Sequence, residues 1–447
     1  MTTHTTSPLS AIPLASRAAA LREGIVDVHA QIDAALDRLD RFDARVRAFL
    51  PEPGRRERVH AAADALAARY PEGAPKPPLY GVLLGMKDIF AVDGLPTRAG
   101  SAIPPEEWVM PQGPAVTRLI DAGAIVLGKT VSTEFAYFDP GATTNPHNAL
   151  HTPGGSSSGS GASVASGYVP LAIGSQTVGS VLRPAAYVGV VGYKGSYDRV
   201  STNGAVAYSR SVDHVGWFTQ DVAGARLVAS VMYGDWRANG GIPAPPDPDL
   251  RASSLPVVGV PVGPYLAQLQ PAALASFEAT IAALEARGVT VRRVPFLDDI
   301  DGINARHRAI ATAEFGDTHA ERFVRWGSMF RAASAALFDA AQHVTPEARA
   351  EGFASRLELR TRIDAASERH GIDVWASMPA LGPAPLGLTS TGDPVMCVPW
   401  THAGVPDITL PAGTIDGLPV GLQLAGRFGR DEEFLDAAER IEALLPS

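Results

Sequence analysis

The chain has 447 residues, 46% of them hydrophobic and 19% charged, with a formal net charge of −9; it can bury a large core, and its acidity opposes nucleic-acid binding by simple electrostatics. A single cysteine, Cys397, excludes an internal disulfide and fits a reducing compartment. No apolar run reaches membrane-spanning length, the longest candidate, Val164 to Val191, being broken by Gln176, Arg183 and several glycines, and Arg17, Arg22 and Glu23 interrupt any signal-peptide pattern, so a cytoplasmic protein is expected.

Ile25, Val26, Val28, Ile32, Leu36, Leu39, Phe42, Val46 and Phe49 are spaced for a helix packing one face on the body, and Arg55 to Ala68 for a second, within an N-terminal helical segment of about 15–72. Pro75 to Pro78 open a core of about 75–235 that alternates strand and helix through Met232. Its first apolar, strand-like runs, Tyr80 to Met86 and Ile89 to Val92, flank Lys87, whose amine would project from a buried sheet. Next, Gly123 to Thr130 fits the P-loop pattern letter for letter. A phosphate cradle needs a strand before its first glycine and a helix after, whereas Val116 to Asp121 is helix-like and Ala124 to Leu127 a strand, which sets nucleotide binding aside.

The stretch from Pro153 to Pro184 holds two serines, Ser156 and Ser180, in separate glycine-rich turns and reads as a serine-nucleophile site. A flexible Gly/Ser linker would have the composition of residues 154–167, but Ala162, Val164, Ala165, Val169, Leu171, Ala172 and Ile173 lead straight into buried-type sequence. A serine hydroxyl needs a base within hydrogen-bond reach. Lysine serves only when neutral, which asks a group titrating near ~10.4 to lose about 3 units, roughly 4 kcal/mol, through burial and its neighbours. Gly155 to Gly159 also satisfies the G-x-S-x-G elbow of an α/β-hydrolase-type esterase with Ser157 as nucleophile. Turn formers rather than a strand precede it, and His402 and Asp407 stand in the wrong order, so this is kept as an alternative.

None of the 11 histidines forms an H-E-x-x-H pair, and His147 and His151 lie among prolines, so no metal site is expected, and no cofactor. His214 reads as a packed residue rather than a base. Beyond the core, Ser254 to Val262 is a strand, Ala272 to Arg287 a helix and Val289 to Val294 a strand. Residues 302–370 carry alanine, arginine and glutamate at helical spacing with Phe315, Phe323, Trp326, Phe330 and Phe338, a helical insertion over the site.

The order Lys87, Ser156, Ser180 resembles the amidase signature family, and so do Gly81 to Phe90, Asp93 to Arg98, Thr144 to Pro146, Gly189 to Lys194, Ser211 to Gly216 and Gly417 to Leu424. These blocks cover most of 75–225 and 375–440, and the smaller, malonamidase-like members come nearest. The resemblance implies an α/β fold, a single-domain α/β/α sandwich over 1–447 around a large mixed sheet, with the C-terminal blocks as strands of the sheet that carries the serines. It implies Lys87 as base, Ser156 as relay after a cis peptide bond at Gly155-Ser156, and Ser180 as nucleophile. The N–H groups of Thr177, Val178, Gly179 and Ser180 would form the oxyanion hole. The activity implied is hydrolysis of a small-molecule amide or ureide C–N bond through an acyl-enzyme, releasing ammonia and a carboxylic acid, with the helical insertion shaping the acyl pocket.

Three positions depart from the family pattern. Val178 stands where glycine is usual, so either its backbone is ordinary or the oxyanion hole is altered. Ser158 replaces a common glycine, and Arg183 lies one position later than the arginine of many members. Arg183 is read either as a structural ion pair or as a fork for a substrate carboxylate, the latter favouring a short acidic amide. Rival readings are a glutamine-hydrolysing subunit of a transamidase complex, which would need partner chains, and a catalytically silent binding protein. A homodimer is left open, as is the need for a small accessory subunit; neither nucleic acid nor membrane is an expected partner.

Overall fold

The computed structural model describes residues 7–236 and 255–446. Ser254, where a strand was expected to begin, lies outside them. The strands are β1 (Leu83–Lys87), β2 (Ile125–Thr130), β3 (Leu171–Gln176), β4 (Val191–Lys194), β5 (His214–Thr219), β6 (Val258–Val262), β7 (Val291–Pro295), β8 (Val374–Ser377), β9 (Asp407–Ile415) and β10 (Leu418–Ala425). They form one mixed sheet in the order β2-β1-β3-β5-β4-β9-β10-β8-β6-β7. Pairing is parallel toward both edges and antiparallel in the middle, from β3 through β8. The C-terminal hairpin β9–β10 therefore sits between β4 and β8, as the blocks around Gly417 suggested. Its turn, Asp416-Gly417, has both residues at positive φ, 52° and 76°, the twist a two-residue hairpin requires.

The α-helices are α1 (Leu14–Arg22), α2 (Val28–Val46), α3 (Arg55–Arg69), α4 (Pro114–Asp121), α5 (Ser158–Ala165), α6 (Leu182–Val188), α7 (Val222–Met232), α8 (Pro271–Ala286), α9 (Ile300–Trp326), α10 (Ala332–Ala341), α11 (Pro346–His370), α12 (Val398–Ala403) and α13 (Asp431–Glu442). Strand side chains alternate between faces. Leu83 joins a core with Leu36, Val59, Val164 and Leu182, from α2, α3, α5 and α6, while Leu84 and Met86 join the opposite core with Leu14, Leu119, Val228, Phe277 and Leu435. Helices thus cover both faces of the sheet, giving the α/β/α sandwich. The edge strand β7 exposes Arg292 and Arg293, charges that discourage a further strand from pairing there.

Some elements differ from their sequence reading. The first long helix begins at Val28, where the Asp27 carboxylate accepts from the Ala30 N–H at 2.8 Å, and Ile25 is 74% exposed in the preceding turn. It ends at Val46 because Arg47 turns left-handed, which frees Phe49 to bridge to Thr130. The run Ile89 to Val92 lies outside the strands and turns back on itself, with N–H groups of Ile89 and Phe90 bonded to the Lys87 carbonyl. The P-loop letters begin in the turn after α4 and run through β2, and Lys129 is buried, its Nζ bonded to the Phe90 carbonyl at 2.8 Å and paired with Asp88 at 3.1 Å. Among the described residues no helix is long and apolar enough to cross a membrane.

Candidate active site

Lys87 ends β1 and Ser175 lies near the end of the adjacent parallel strand β3, so both come to the carboxyl edge of the sheet, where open α/β sheets place their ligands. Lys87 is 0% exposed. Its Nζ is 2.7 Å from Ser156 Oγ and 2.8 Å from Ser175 Oγ. Burial pulls its pKa down to about 7, opposed by the nearby Asp213 carboxylate. An amine in this state is neutral in a large fraction of molecules at neutral pH.

Ser156 follows a cis peptide bond at Gly155-Ser156, at the position expected. The two serine turns are fastened to each other. Gly154 has φ +81°, and a Cβ there would lie 2.8 Å from Pro184 Cα, so only glycine lets the first turn close on the start of α6. The Gly155 carbonyl accepts from Arg183 Nη2 at 2.7 Å, and the same nitrogen reaches Thr391 Oγ1 at 3.1 Å. Arg183 is 1% exposed and forms no ion pair among the described residues, so its partners are a carbonyl and a hydroxyl, not the carboxylate that a structural ion pair would need. Its Nε and Nη1 have no hydrogen-bond partner among the described residues.

Ser180 is 8% exposed, in the turn between β3 and α6. That turn is held from outside. Gln176 Oε1 accepts from the N–H groups of Val181 and Leu182, at 2.9 and 3.1 Å. Thr177 Oγ1 donates to Asp213 Oδ1 at 2.6 Å, and Thr401 Oγ1 donates to the Val178 carbonyl at 2.7 Å. Among the described residues the N–H groups of Val178, Gly179 and Ser180 have no protein acceptor. Val178 does not have positive φ, so of the two alternatives posed by its β-branch the ordinary backbone is the one found. Gly179 packs against Pro394 and Cys397, whose atoms would lie 3.0 and 3.1 Å from a Cβ.

Ser175 and Asp213 were given no role from sequence. Ser175 is visible only as one more serine in a strand, and Asp213 as one member of a block. Asp213 Oδ2 accepts from the N–H groups of Tyr208 and Ser209 at 2.9 and 3.0 Å, and burial raises its pKa to about 6 against those hydrogen bonds. Glu314 of α9 grips the same segment through Ser209 Oγ at 2.6 Å and the Ser211 N–H at 2.9 Å. His214 is buried with Nδ1 2.7 Å from the Val212 carbonyl, and burial holds it neutral. The residues of the elbow reading are not joined. Ser157 Oγ donates to the Ser175 carbonyl at 3.2 Å and accepts from its N–H at 3.3 Å, whereas His402 bonds His307 and Ser355.

A cavity of about 600 Å³ opens beside Val178. Helices α9 and α10 wall it with Ala311, Ala333, Ala336 and Leu337, so the helical insertion does lie over this region, with Val395 and Val398 opposite. Lys87 and the two serines line neither this cavity, which touches the site through Val178, nor a second cleft of about 640 Å³, and charges within the second cleft pair with each other, Arg325 with Glu107 and Arg349 with Asp317.

The model of the family described as Amidase matches residues 30–375 and 385–435. The chain is 34% identical to a Glutamyl-tRNA(Gln) amidotransferase subunit from Synechococcus sp. (strain WH7803), over 94% of this chain and 95% of that one. Among solved structures it is similar to an amidase at TM-score 0.84 and 29% identity, covering 97% of this chain and 100% of the other. It is also similar to the native peptide amidase of Stenotrophomonas maltophilia at TM-score 0.79 and 26% identity, covering 96% of each.

Proposed function

Because this chain belongs to the amidase signature family and is thereby a hydrolase of amide C–N bonds, we propose that it cleaves a small-molecule amide or ureide through an acyl-enzyme on Ser180, with Ser156 and Lys87 as its proton relay. The observation that carries this reading is the 2.7 Å contact between Lys87 Nζ and Ser156 Oγ, with the lysine brought to a pKa of about 7. Neutral Lys87 takes the proton of Ser156 as Ser156 takes that of Ser180. Ser180 Oγ then bonds to the amide carbon, and the oxyanion is met by N–H groups of Thr177, Val178, Gly179 and Ser180. The proton returns along the relay to the nitrogen, the C–N bond breaks and ammonia leaves. Water repeats the sequence on the acyl ester, releasing the acid and restoring Ser180.

Ammonia release across short acidic, neutral aliphatic, aryl and urea-derived amides tests the activity, and a fluorophosphonate tests the nucleophile. Turnover of at least one amide is expected, with a single covalent adduct mapped by peptide mass spectrometry to Ser180. An adduct on Ser157 would return the elbow reading, and absence of both turnover and adduct would favour the silent binding protein.

A second reading is favoured by the identity with glutamyl-tRNA(Gln) amidotransferase chains: glutamine as ammonia donor within a complex. Glutaminase activity that appears only when partner chains co-elute on gel filtration would support it; amide turnover by the isolated chain would not.

Arg183 is assigned to holding the Gly155 carbonyl, hence the Ser156 turn, in register with Ser180. Arg183→Lys loses the planar fork. It is expected to lower kcat about 10-fold while leaving KM for acidic and neutral amides within about 3-fold, in line with one hydrogen bond to a charged group. A selective rise of KM for acidic amides would give Arg183 the carboxylate instead.

A further inference from the structure

Helix α10 walls the cavity beside Val178, yet its own sequence does not cap it. The N-cap position is Arg331, whose side chain carries donors only and can accept nothing from the N–H groups of the first turn. Those groups are met from the segment that follows β2. Asp139 Oδ2 accepts from the N–H groups of Ala333 and Ser334 at 3.0 and 3.2 Å, and Glu134 Oε2 accepts from the Arg331 N–H at 2.8 Å. A capping box does the same from within a helix; here both acceptors come from elsewhere in the chain, and two carboxylates suit the positive end of the helix dipole. Arg331 returns one bond, from Nη1 to the Pro140 carbonyl at 2.6 Å.

The same segment braces the serine turn. The Thr133 N–H donates to the Ser156 carbonyl at 3.1 Å. Between the two capping carboxylates the backbone doubles back at Phe135 and Ala136, both at positive φ, 50° and 60°, a conformation that residues with a Cβ keep only where their surroundings enforce it. Phe135 is buried, its N–H bonded to the Ala99 carbonyl at 2.9 Å and its ring centroid 4.7 Å from those of His319 and Phe330. The turn is thereby fixed, and the next two residues, Tyr137 and Phe138, line the cavity together with Ala333, Ala336, Leu337 and Ala340 of α10. Neither Glu134 nor Asp139 lines it.

We infer that Asp139 and Glu134 are positioning residues that set acyl-group specificity: by capping α10 from the segment that holds Ser156, they fix the width of the cavity relative to the serines. This rests on the amidase reading of those serines, with the acyl group of the substrate in the cavity. Bulky apolar acyl groups, which need the α10 wall in place, depend on the cap; short ones, which do not reach it, are indifferent to it. Without the cap the first turn of α10, where Ala333 lies, loses its acceptors, while the helix stays attached farther along through Phe338, stacked on Phe323 of α9 with ring centroids 3.9 Å apart. The wall therefore loosens at one end and the fold is kept.

The test uses linear alkanamides from acetamide to decanamide, with benzamide, on the full chain. Asp139→Ala and Glu134→Ala, two variants so that a folding defect in one does not decide the matter, are each expected to raise KM for the long and aryl members relative to acetamide by about 10-fold, the scale of one lost helix cap. A general loss of folded protein would instead lower kcat for every member and leave the KM ratio unmoved. Asp139→Asn keeps an acceptor oxygen of similar capping strength and should return the ratio to within about 3-fold of wild type. The same amides are titrated calorimetrically against Ser180→Ala, with and without Asp139→Ala, which reads recognition without turnover. An unchanged KM ratio in both alanine variants, or no recovery in Asp139→Asn, overturns the inference. Selective weakening of long-amide binding by Asp139→Ala, without ammonia release by wild type, would sustain it and sink the amidase reading; ammonia release with an unmoved KM ratio does the reverse. Neither release nor binding of any member overturns both.

Discussion

Replacing Lys87 with methionine is expected to lower kcat/KM by about 10⁴-fold or more, the scale seen when a base is removed from a serine nucleophile, and at the same time to stabilise the fold. Methionine fills a similar volume without a charge. Lys87 has its pKa lowered from 10.5 to about 7 by burial, so between those values the folded chain binds fewer protons at this group than the unfolded chain. Stability therefore rises with pH from about 7 toward 10.5, and below about 7 the whole penalty is present, of order 4 kcal/mol. The substitution removes that penalty and leaves Ser156 and Ser175 short of one partner each, at about 1 kcal/mol apiece. A net gain of about 2 kcal/mol is expected, largest at pH 6 and shrinking as pH rises, read as a midpoint shift by calorimetry. The companion result is the wild-type pH profile. Only neutral Lys87 accepts a proton, so kcat/KM should fall about tenfold per pH unit below an apparent pKa near 7. An acid limb absent down to pH 5, or persisting unchanged in the methionine variant, would take the base role from Lys87.

The two serines should differ in what their loss does. Ser180→Ala removes the proposed nucleophile, so turnover is expected to fall by about 10⁴- to 10⁶-fold and fluorophosphonate labelling to vanish. Ser156→Ala keeps the nucleophile and breaks the path to Lys87, which water can span in part. A loss of about 10²- to 10⁴-fold is expected, with slow but measurable labelling of Ser180. Ser157→Ala, in a residue bonded to the Ser175 backbone, should cost about 1 kcal/mol of stability. Rates of adduct formation by mass spectrometry rank the three. Labelling that survives in Ser180→Ala and is lost in Ser156→Ala would exchange their roles.

Much of this site was legible because it is built from local signals. Glycines around Ser156 and Ser180 mark turns, apolar residues around Lys87 mark a buried strand, and the resemblance of their order to the amidase signature family groups them. What escaped notice depends on contacts between distant segments. Ser175 reaches Lys87 because β3 pairs with β1, and Asp213 reaches Thr177 because its block returns beside β3; neither pairing leaves a mark in the residues nearby. Arg183 shows the same limit. Its type announces a cation but not that its partner would be the Gly155 carbonyl. The helical insertion was readable from spacing, yet which of its residues line the cavity beside Val178 follows from how α9 is rotated, which periodicity narrows without fixing. The P-loop match shows the converse, since its letters were present while the order of helix and strand around them was not.

The place of the C-terminal hairpin bears on how the protein is made. During synthesis β4 emerges long before β9 and β10, which pair at its side, and β8 waits for β10. Until residue 425 has left the ribosome, the middle of the sheet is a gap with two unpaired strands facing it, the kind of backbone that recruits a strand from another chain. The clamps on the serine turns are late as well, since Thr391 and Thr401 lie beyond residue 390. Nascent chains that stop short of the hairpin would thus hold Lys87, Ser156 and Ser180 without the frame that aligns them, and chaperone demand should concentrate at the end of translation.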